Sequence, residues 1–332
     1  MKIPYRKLKE YLDVDIEELR PKGSYKKLIE KRTHSIDSLI QEYGNIPDEL
    51  LIHRNCPTCE NNDYSDVFQK DYFHIVSCKD CNLVYTNPIF NETHYKETYQ
   101  SEDYQEIVKD LGEESHNYRV NRFGKERVEI LSKFTSENKI KYLDIGCSTG
   151  FVVEAAKNIG WDAIGIDLNP SAINFGKDRG LNLKNKSLDE ISFDKESFDV
   201  ISLFDVLEHL PNPTEIISQA LGYLKRGGLL FIYVPNWDSA SRILLGKDAH
   251  FIWPTHHLNY YTPNTIINFL NRFNLKVDYL VTEGLDMVDY IWYQKEVRNK
   301  NMDEIEAIVN ELQFFINAGA YGKNLRVIAI KE

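Results

Sequence analysis

The sequence predicts an α/β fold: a doubly wound, Rossmann-like parallel sheet preceded by a helical segment and a small cysteine ribbon. Three observations carry that reading. From Lys139 onward, short apolar runs alternate with stretches of helical period, the pattern of strands joined by crossover helices. The first of those runs ends in a glycine-bearing turn, Gly146-Cys147-Ser148-Thr149-Gly150, that leads directly into a helical pattern. Upstream, four of the five cysteines form two C-x2-C pairs, Cys56/Cys59 and Cys78/Cys81, with 18 residues between them.

Residues 1–50 are charged, with Tyr25, Leu28, Ile29, Ile36, Leu39, Ile40 and Tyr43 at helical spacings before a Gly44-Asn45-Ile46-Pro47 stop. The ribbon occupies 51–90, with short strands expected at Asp66–Lys70 and His74–Ser77. Two tight knuckles can aim four thiolates at one ion, so Cys56, Cys59, Cys78 and Cys81 are expected to hold Zn2+. Four thiolates close the tetrahedron and make that metal structural. A connector spans 91–138: an acidic, Tyr-rich stretch from Asn91 to His116, then a helix in which Val120, Phe123, Val128, Leu131 and Phe134 recur every three to four positions.

The main domain is expected at 139–332. Its strands are read at Ile140–Ile145, Ala163–Asp167, Leu181–Leu183, Phe198–Phe204 and Gly228–Val234, with helices from Phe151 to Ile159, after the Asn169-Pro170-Ser171 cap, and from Thr214 to Lys225. A helix over Asn264–Phe273, a strand at Leu275–Val281, a helical insert near 290–320 and a last strand at Leu325–Ile330 complete it. The insert is expected to cover an acceptor site or to make a dimer contact.

With 40 Lys and Arg against 51 Asp and Glu, the formal charge is −11, which weighs against nucleic-acid phosphate as the main partner. The longest apolar run, Leu229–Val234, is far short of the roughly 18 residues a membrane span needs, and Met1-Lys2-Ile3-Pro4 opens no signal-peptide core. A soluble cytoplasmic protein is the expectation.

Chemistry gathers at the carboxyl ends of the strands, where doubly wound sheets bind ligands. Gly146 and Gly150 allow a sharp turn, and the helix beginning at Phe151 presents unpaired N–H groups. Asp167, 21 positions beyond Gly146, can accept both hydroxyls of a ribose. A nucleoside ligand follows. The G-x-G-x-x-G of dinucleotide sites is missing, since Gly146, Ser148 and Phe151 stand where its glycines would be.

The segments Tyr142–Gly150, Ile164–Asp167, Phe198–Ile201, Val206–Leu210 and Leu224–Leu230 resemble, in order and spacing, those of class I S-adenosylmethionine-dependent methyltransferases. Paired with the upstream ribbon, they resemble a bacterial subgroup that includes sugar C-methyltransferases and other small-molecule enzymes. Ser148 departs from the family, where a glycine is common, and sugar C-methyltransferases with this ribbon usually carry a further C-terminal domain. The resemblance implies S-adenosyl-L-methionine as cofactor. It implies that Asp144 and the turn Gly146, Cys147, Ser148 and Gly150 hold the methionine moiety, that Asp167 binds the ribose, and that Leu168 packs on adenine. Ser187 and Leu188 would line the adenine pocket, and Phe204 and Asp205 would lie beside the sulfonium.

The insert Trp253–Thr262 places His256, His257, Tyr260 and Tyr261 in one loop, and it resembles a family segment of the form H-L-x-Y-F/Y-S/T. In ribbon-bearing sugar C-methyltransferases a His and a Tyr near this place assist catalysis, so His257 is the candidate general base, with Tyr260 beside it. Trp237, Phe251 and Trp253 would wall the acceptor pocket. Glu208-His209 reads either as part of the binding set or as a satisfied structural pair. The leading expectation is methyl transfer to a small molecule, such as a nucleotide-activated sugar or an intermediate of polysaccharide or natural-product synthesis. Its rivals are an RNA or protein methyltransferase that uses the ribbon for recognition, although no N-P-P-[YF] tetrapeptide follows the fourth strand, and a cofactor-binding protein without catalysis.

Overall fold

A computed structural model describes residues 14–19, 36–100, 112–135 and 139–332. The expected helical positions Tyr25, Leu28 and Ile29 lie outside them, whereas 36–43 is helical and ends at Gly44. Thirteen strands are numbered here in chain order. β1 (Leu51–Ile52) pairs with β5 (Ile89–Phe90), and β2 (Tyr64–Lys70), β3 (Phe73–Cys78) and β4 (Val84–Thr86) form the antiparallel ribbon. β6 (Lys141–Ile145), β7 (Asp162–Asp167), β8 (Leu183–Asn185), β9 (Phe198–Phe204), β10 (Leu224–Pro235), β12 (Leu275–Glu283) and β13 (Asn324–Lys331) make the main sheet, in the order β12-β13-β10-β9-β6-β7-β8. β11 (Asn259–Tyr260) joins the ribbon instead.

The five strands from β8 to β10 are parallel, while β13 runs antiparallel between β10 and β12. The chain moves outward from β6 to β8 and then returns to β9 on the other side of β6. That reversal is a topological switch point, and it places a ligand crevice beyond Ile145 and Phe204. Apolar side chains fill both faces. Leu143, Ile145, Leu203, Ile232 and Val327 pack on one, and Tyr142, Val200, Phe231 and Ile328 on the other.

Local chemistry sets the element bounds. Asn169 and Asn212 cap the helices Pro170–Asp178 and Pro213–Tyr223, each with proline at the first turn. The third strand begins at Leu183 rather than Leu181, because Gly180 and Leu181 still donate to the carbonyls of Lys177 and Gly176 and so belong to the helix end. The expected helix after Tyr118 is interrupted: Val120–Gly124 is a π turn between the α segments His116–Arg119 and Lys125–Ser132. In the insert, helices Asp286–Glu296, Asp303–Glu306 and Val309–Ala318 are tied down by buried Asp286, which accepts from Ser241 N, Gln313 Nε2 and Lys323 N. No helix among the described residues is long and apolar enough to cross a membrane.

The ribbon is not a separate appendage. Cys56, Val76, Leu83 and Tyr85 lie in the same apolar cluster as Ile266, Phe269 and Leu270 of the helix Pro263–Asn271. Arg54 ties ribbon to loop, donating to the carbonyls of Thr86 and Leu258 and to Asn259 Oδ1.

Candidate functional site

The turn after β6 carries three residues in the left-handed region: Gly146 (φ 75°), Ser148 (φ 49°) and Gly150 (φ 80°). A Cβ on Gly146 would stand 2.4 Å from Val206 Cγ2, so the turn packs directly on the end of β9 and only glycine fits. Ser148 takes the left-handed conformation despite its side chain, a strain found at functional turns. The N–H groups of Gly146 and Cys147 both go to the Ile166 carbonyl, and the Cys147 side chain is buried, packed so tightly against Gly165 that a Cβ there would lie 2.6 Å from its sulfur. Cys147 thus enters the core, where burial pushes its thiol up, and offers the crevice only backbone.

Asp167 ends β7 beside this turn. Its Oδ2 accepts from Ser148 N at 2.7 Å and its Oδ1 from Asn169 N at 2.8 Å, leaving each oxygen a further lone pair. Burial raises its carboxyl, and the hydrogen bonds from Asn169 and Ser148 oppose that rise. The next residue, Leu168, is 66% exposed, a large apolar surface open beside a buried carboxylate. Leu188 is buried in the core, while Ser187 sits at the rim and donates its N–H to Glu190.

Asp144 lies inside the sheet. Its Oδ1 accepts from Ser202 Oγ at 2.6 Å, and Ser202 Oγ lies 2.6 Å from the Tyr142 hydroxyl. Burial pushes its carboxyl up to about 7, against the pull of Ser202 and Arg127. At the end of β9, Phe204 packs edge-on against Phe231, and Asp205 adopts φ 56°. Asp205 is solvent-accessible yet ringed by protein, as on the floor of a cleft. That desolvation raises its carboxyl, while Arg127 and Arg119 counter it.

Two features near the crevice carry no mark in the sequence. Buried His116 bonds Thr149 Oγ1 through Nδ1 (2.8 Å) and Glu154 through Nε2 (2.9 Å), clamping the glycine turn under the helix that precedes the sheet. Arg127 is buried with its guanidinium 4.3, 4.9 and 5.2 Å from the ring centres of Phe204, Tyr233 and Phe151. Each sits in an ordinary helical pattern, and only the tertiary structure brings it to the site.

The loop Trp253–Thr262 folds back on the turn after β9. Leu258 N donates to the Glu208 carbonyl, and Asn259 Nδ2 donates to the carbonyls of Leu207 and Leu210. This brings His257 edge-on to His209, ring centres 4.7 Å apart. His256 instead stacks on Trp253 and bonds Thr255. Tyr260 is buried against Trp237 and Phe251, on the ribbon side of the loop. Glu208 and His209 do not form a satisfied pair, for a geometric reason. Their nearest approach is 3.9 Å, and buried Glu208 Oε2 has no hydrogen-bond partner. Burial, with Asp205 nearby, raises the Glu208 carboxyl well above its usual range, and burial lowers His209 to about 4.

The four cysteine sulfurs lie within 4.8 Å of one another, with Cys56–Cys81 and Cys59–Cys78 each at 3.5 Å. Tetrahedral thiolates at Zn–S of about 2.3 Å have edges of about 3.8 Å, so the set fits zinc closely.

A profile of the family described as "Methyltransferase domain" matches residues 116–280. The chain carries an S-adenosylmethionine-dependent methyltransferase domain. The match begins at His116, so the helix that clamps the glycine turn belongs to it. Among curated relatives, the ubiquinone biosynthesis O-methyltransferase of Glaesserella parasuis is 32% identical over 34% of this chain and 52% of its own length, and that of Xanthomonas axonopodis pv. citri 27% identical over 46% and 69%. The chain thus spans about half the length of the first curated relatives it matches. A chain of the complex between the Haloferax volcanii Trm112 methyltransferase activator and a putative methyltransferase superposes with a TM-score of 0.50 at 13% identity, covering 68% of this chain and 96% of that one, which shows the shared fold.

Proposed function

We propose that this protein transfers a methyl group from S-adenosylmethionine to a small-molecule acceptor, with a hydroxyl as the group methylated. The observation that carries the reading is the pairing of Asp167 with Leu168: a buried carboxylate with spare lone pairs beside a leucine 66% exposed, at the rim of a left-handed glycine turn. A ribose and an adenine would cover that pair. Asp167 would hold the ribose hydroxyls, Leu168 the adenine face, and the Gly146–Gly150 turn with Asp144 behind it the methionine end. Phe204 and Asp205 would flank the sulfonium, which arrives already activated and supplies the methyl electrophile.

The chain's own contribution is placement, exclusion of water and removal of the acceptor's proton. His257 is the candidate base. Its Nδ1 lies 2.8 Å from the Phe251 carbonyl, which can only accept, so Nδ1 carries the hydrogen and the basic lone pair is on Nε2. Tyr260, behind it among Trp237 and Phe251, would set the loop and wall the acceptor pocket. One edge of the ribbon sheet, at β4, is taken up by β11 of this same loop, which ties the ribbon to the loop that carries His257. The relatives are ubiquinone biosynthesis O-methyltransferases, which favours an acceptor oxygen.

His257→Asn tests the reading. Turnover is expected to fall by roughly 10²- to 10⁴-fold, with S-adenosylmethionine affinity unchanged. Full turnover in that variant would remove His257 from the chemistry.

A further inference from the structure

We propose that Glu208, His209 and His257 form a binding site for a first-row divalent cation, separate from the four-cysteine ribbon. One ligand atom from each of the three lies within 4.8 Å of the others. Nitrogen and oxygen ligands around Zn2+ at about 2.0–2.2 Å have edges of about 3.3–3.6 Å, so small side-chain rotations close the set on an ion.

Three independent features make this a built site rather than a chance cluster. Both imidazoles are held from behind: His209 Nδ1 lies 2.9 Å from the His256 carbonyl, and His257 Nδ1 lies 2.8 Å from that of Phe251. Carbonyls only accept, so each ring carries its hydrogen on Nδ1 and its lone pair on Nε2, the outer-shell arrangement that orients metal-ligating histidines. Glu208 is 1% exposed, and its Oε2 makes no hydrogen bond. A buried carboxylate in that condition is costly unless it is paired or coordinates a metal. The frame is also rigid, because Leu258 N and the Asn259 side chain lock the Leu207–Leu210 turn to the loop that carries His257.

Two imidazoles and one carboxylate suit Zn2+, Mn2+, Fe2+ or Co2+ better than the oxygen-seeking Mg2+ or Ca2+. Three protein ligands leave coordination positions open, as in catalytic rather than structural sites. With the ion bound, His257 serves as a ligand in place of the base role it has in the metal-free protein, and an acceptor hydroxyl entering an open position would be made more acidic by the metal itself.

The test is a cobalt titration of protein whose cysteine site is filled and whose weaker site has been cleared with a mild chelator, followed by calorimetry and visible absorption. Wild type is expected to take one equivalent of Co2+ beyond the ribbon metal, without sulfur-to-cobalt charge transfer. Glu208→Gln and His209→Gln should each weaken that binding at least about tenfold while keeping the ribbon zinc. His209 is 27% exposed, so its variant reports even if Glu208→Gln fails to fold. Wild type that binds no additional cobalt, or variants that bind it as wild type does, would overturn the proposal. Methyl transfer plays no part in these readouts, so a chain that binds the cation yet methylates nothing sinks only the functional reading.

Discussion

Replacing Asp144 with Asn should make the stability of the protein respond differently to pH, by an amount the structure fixes. Asp144 is 2% exposed, and burial pushes its carboxyl from its ordinary 3.8 up to about 7. A group whose folded pKa is raised holds its proton longer in the native state, so folding is favoured most below pH 4 and loses that support as pH climbs to 7. Holding the proton to about pH 7 corresponds to about 4 kcal/mol, of which about 2–3 falls between pH 5 and pH 8. Asn keeps the shape and an oxygen for the 2.6 Å hydrogen bond from Ser202 Oγ but has no proton to lose. Urea unfolding of wild type and Asp144→Asn without cofactor should therefore diverge by about 2–3 kcal/mol across that interval, the variant gaining relative to wild type as pH rises. A difference between the two that stays constant within about 0.5 kcal/mol from pH 5 to 8 would show that Asp144 is ionised in the fold, and that the Tyr142–Ser202–Asp144 chain is not the desolvated array described above.

Asp167→Ala should cost the ribose contact, worth roughly 1.5–3 kcal/mol for hydrogen bonds to a charged group, so S-adenosylmethionine affinity should drop about tenfold to a hundredfold by calorimetry. Equal affinity would remove Asp167 from the cofactor site. Cys78→Ser should abolish retention of the ribbon zinc, measured by metal analysis, and should depress turnover more than cofactor affinity, because β11 and its loop lean on β4 while Asp167 and the glycine turn do not. Cofactor affinity falling as steeply as turnover would contradict that division.

Where the chemistry is local, the residues announced it. The strand and helix alternation, the glycine turn and the Asp167 position need only neighbours a few residues away, and the strand at Phe198–Phe204 stands as read. The paired knuckles likewise prescribe a tetrahedron, and their sulfurs meet within 4.8 Å. Contacts made by distant segments were silent. His116 reaches Thr149, 33 positions on, and nothing in the pattern around it separates it from any polar helix residue. Glu208 and His209 were visible as a motif, yet their relation to His257 depends on how the loop folds back. The two-residue strand Asn259–Tyr260 is too short to show alternation, so its place in the ribbon sheet could not be read.

That short strand gives the ribbon a second meaning. Because Asn259 and Tyr260 pair with Tyr85 and Val84, the loop proposed to face the acceptor is bounded on one side by chain laid down some 170 residues earlier. A protein cut just before His116 would keep the clamp on its glycine turn but leave a bare strand edge, and would lose the Arg54 cation that satisfies the carbonyl of Leu258. Such a fragment would bind nucleoside without a defined surface opposite it. A graft of another loop onto this sheet therefore has to bring the cysteine hairpin that seats it.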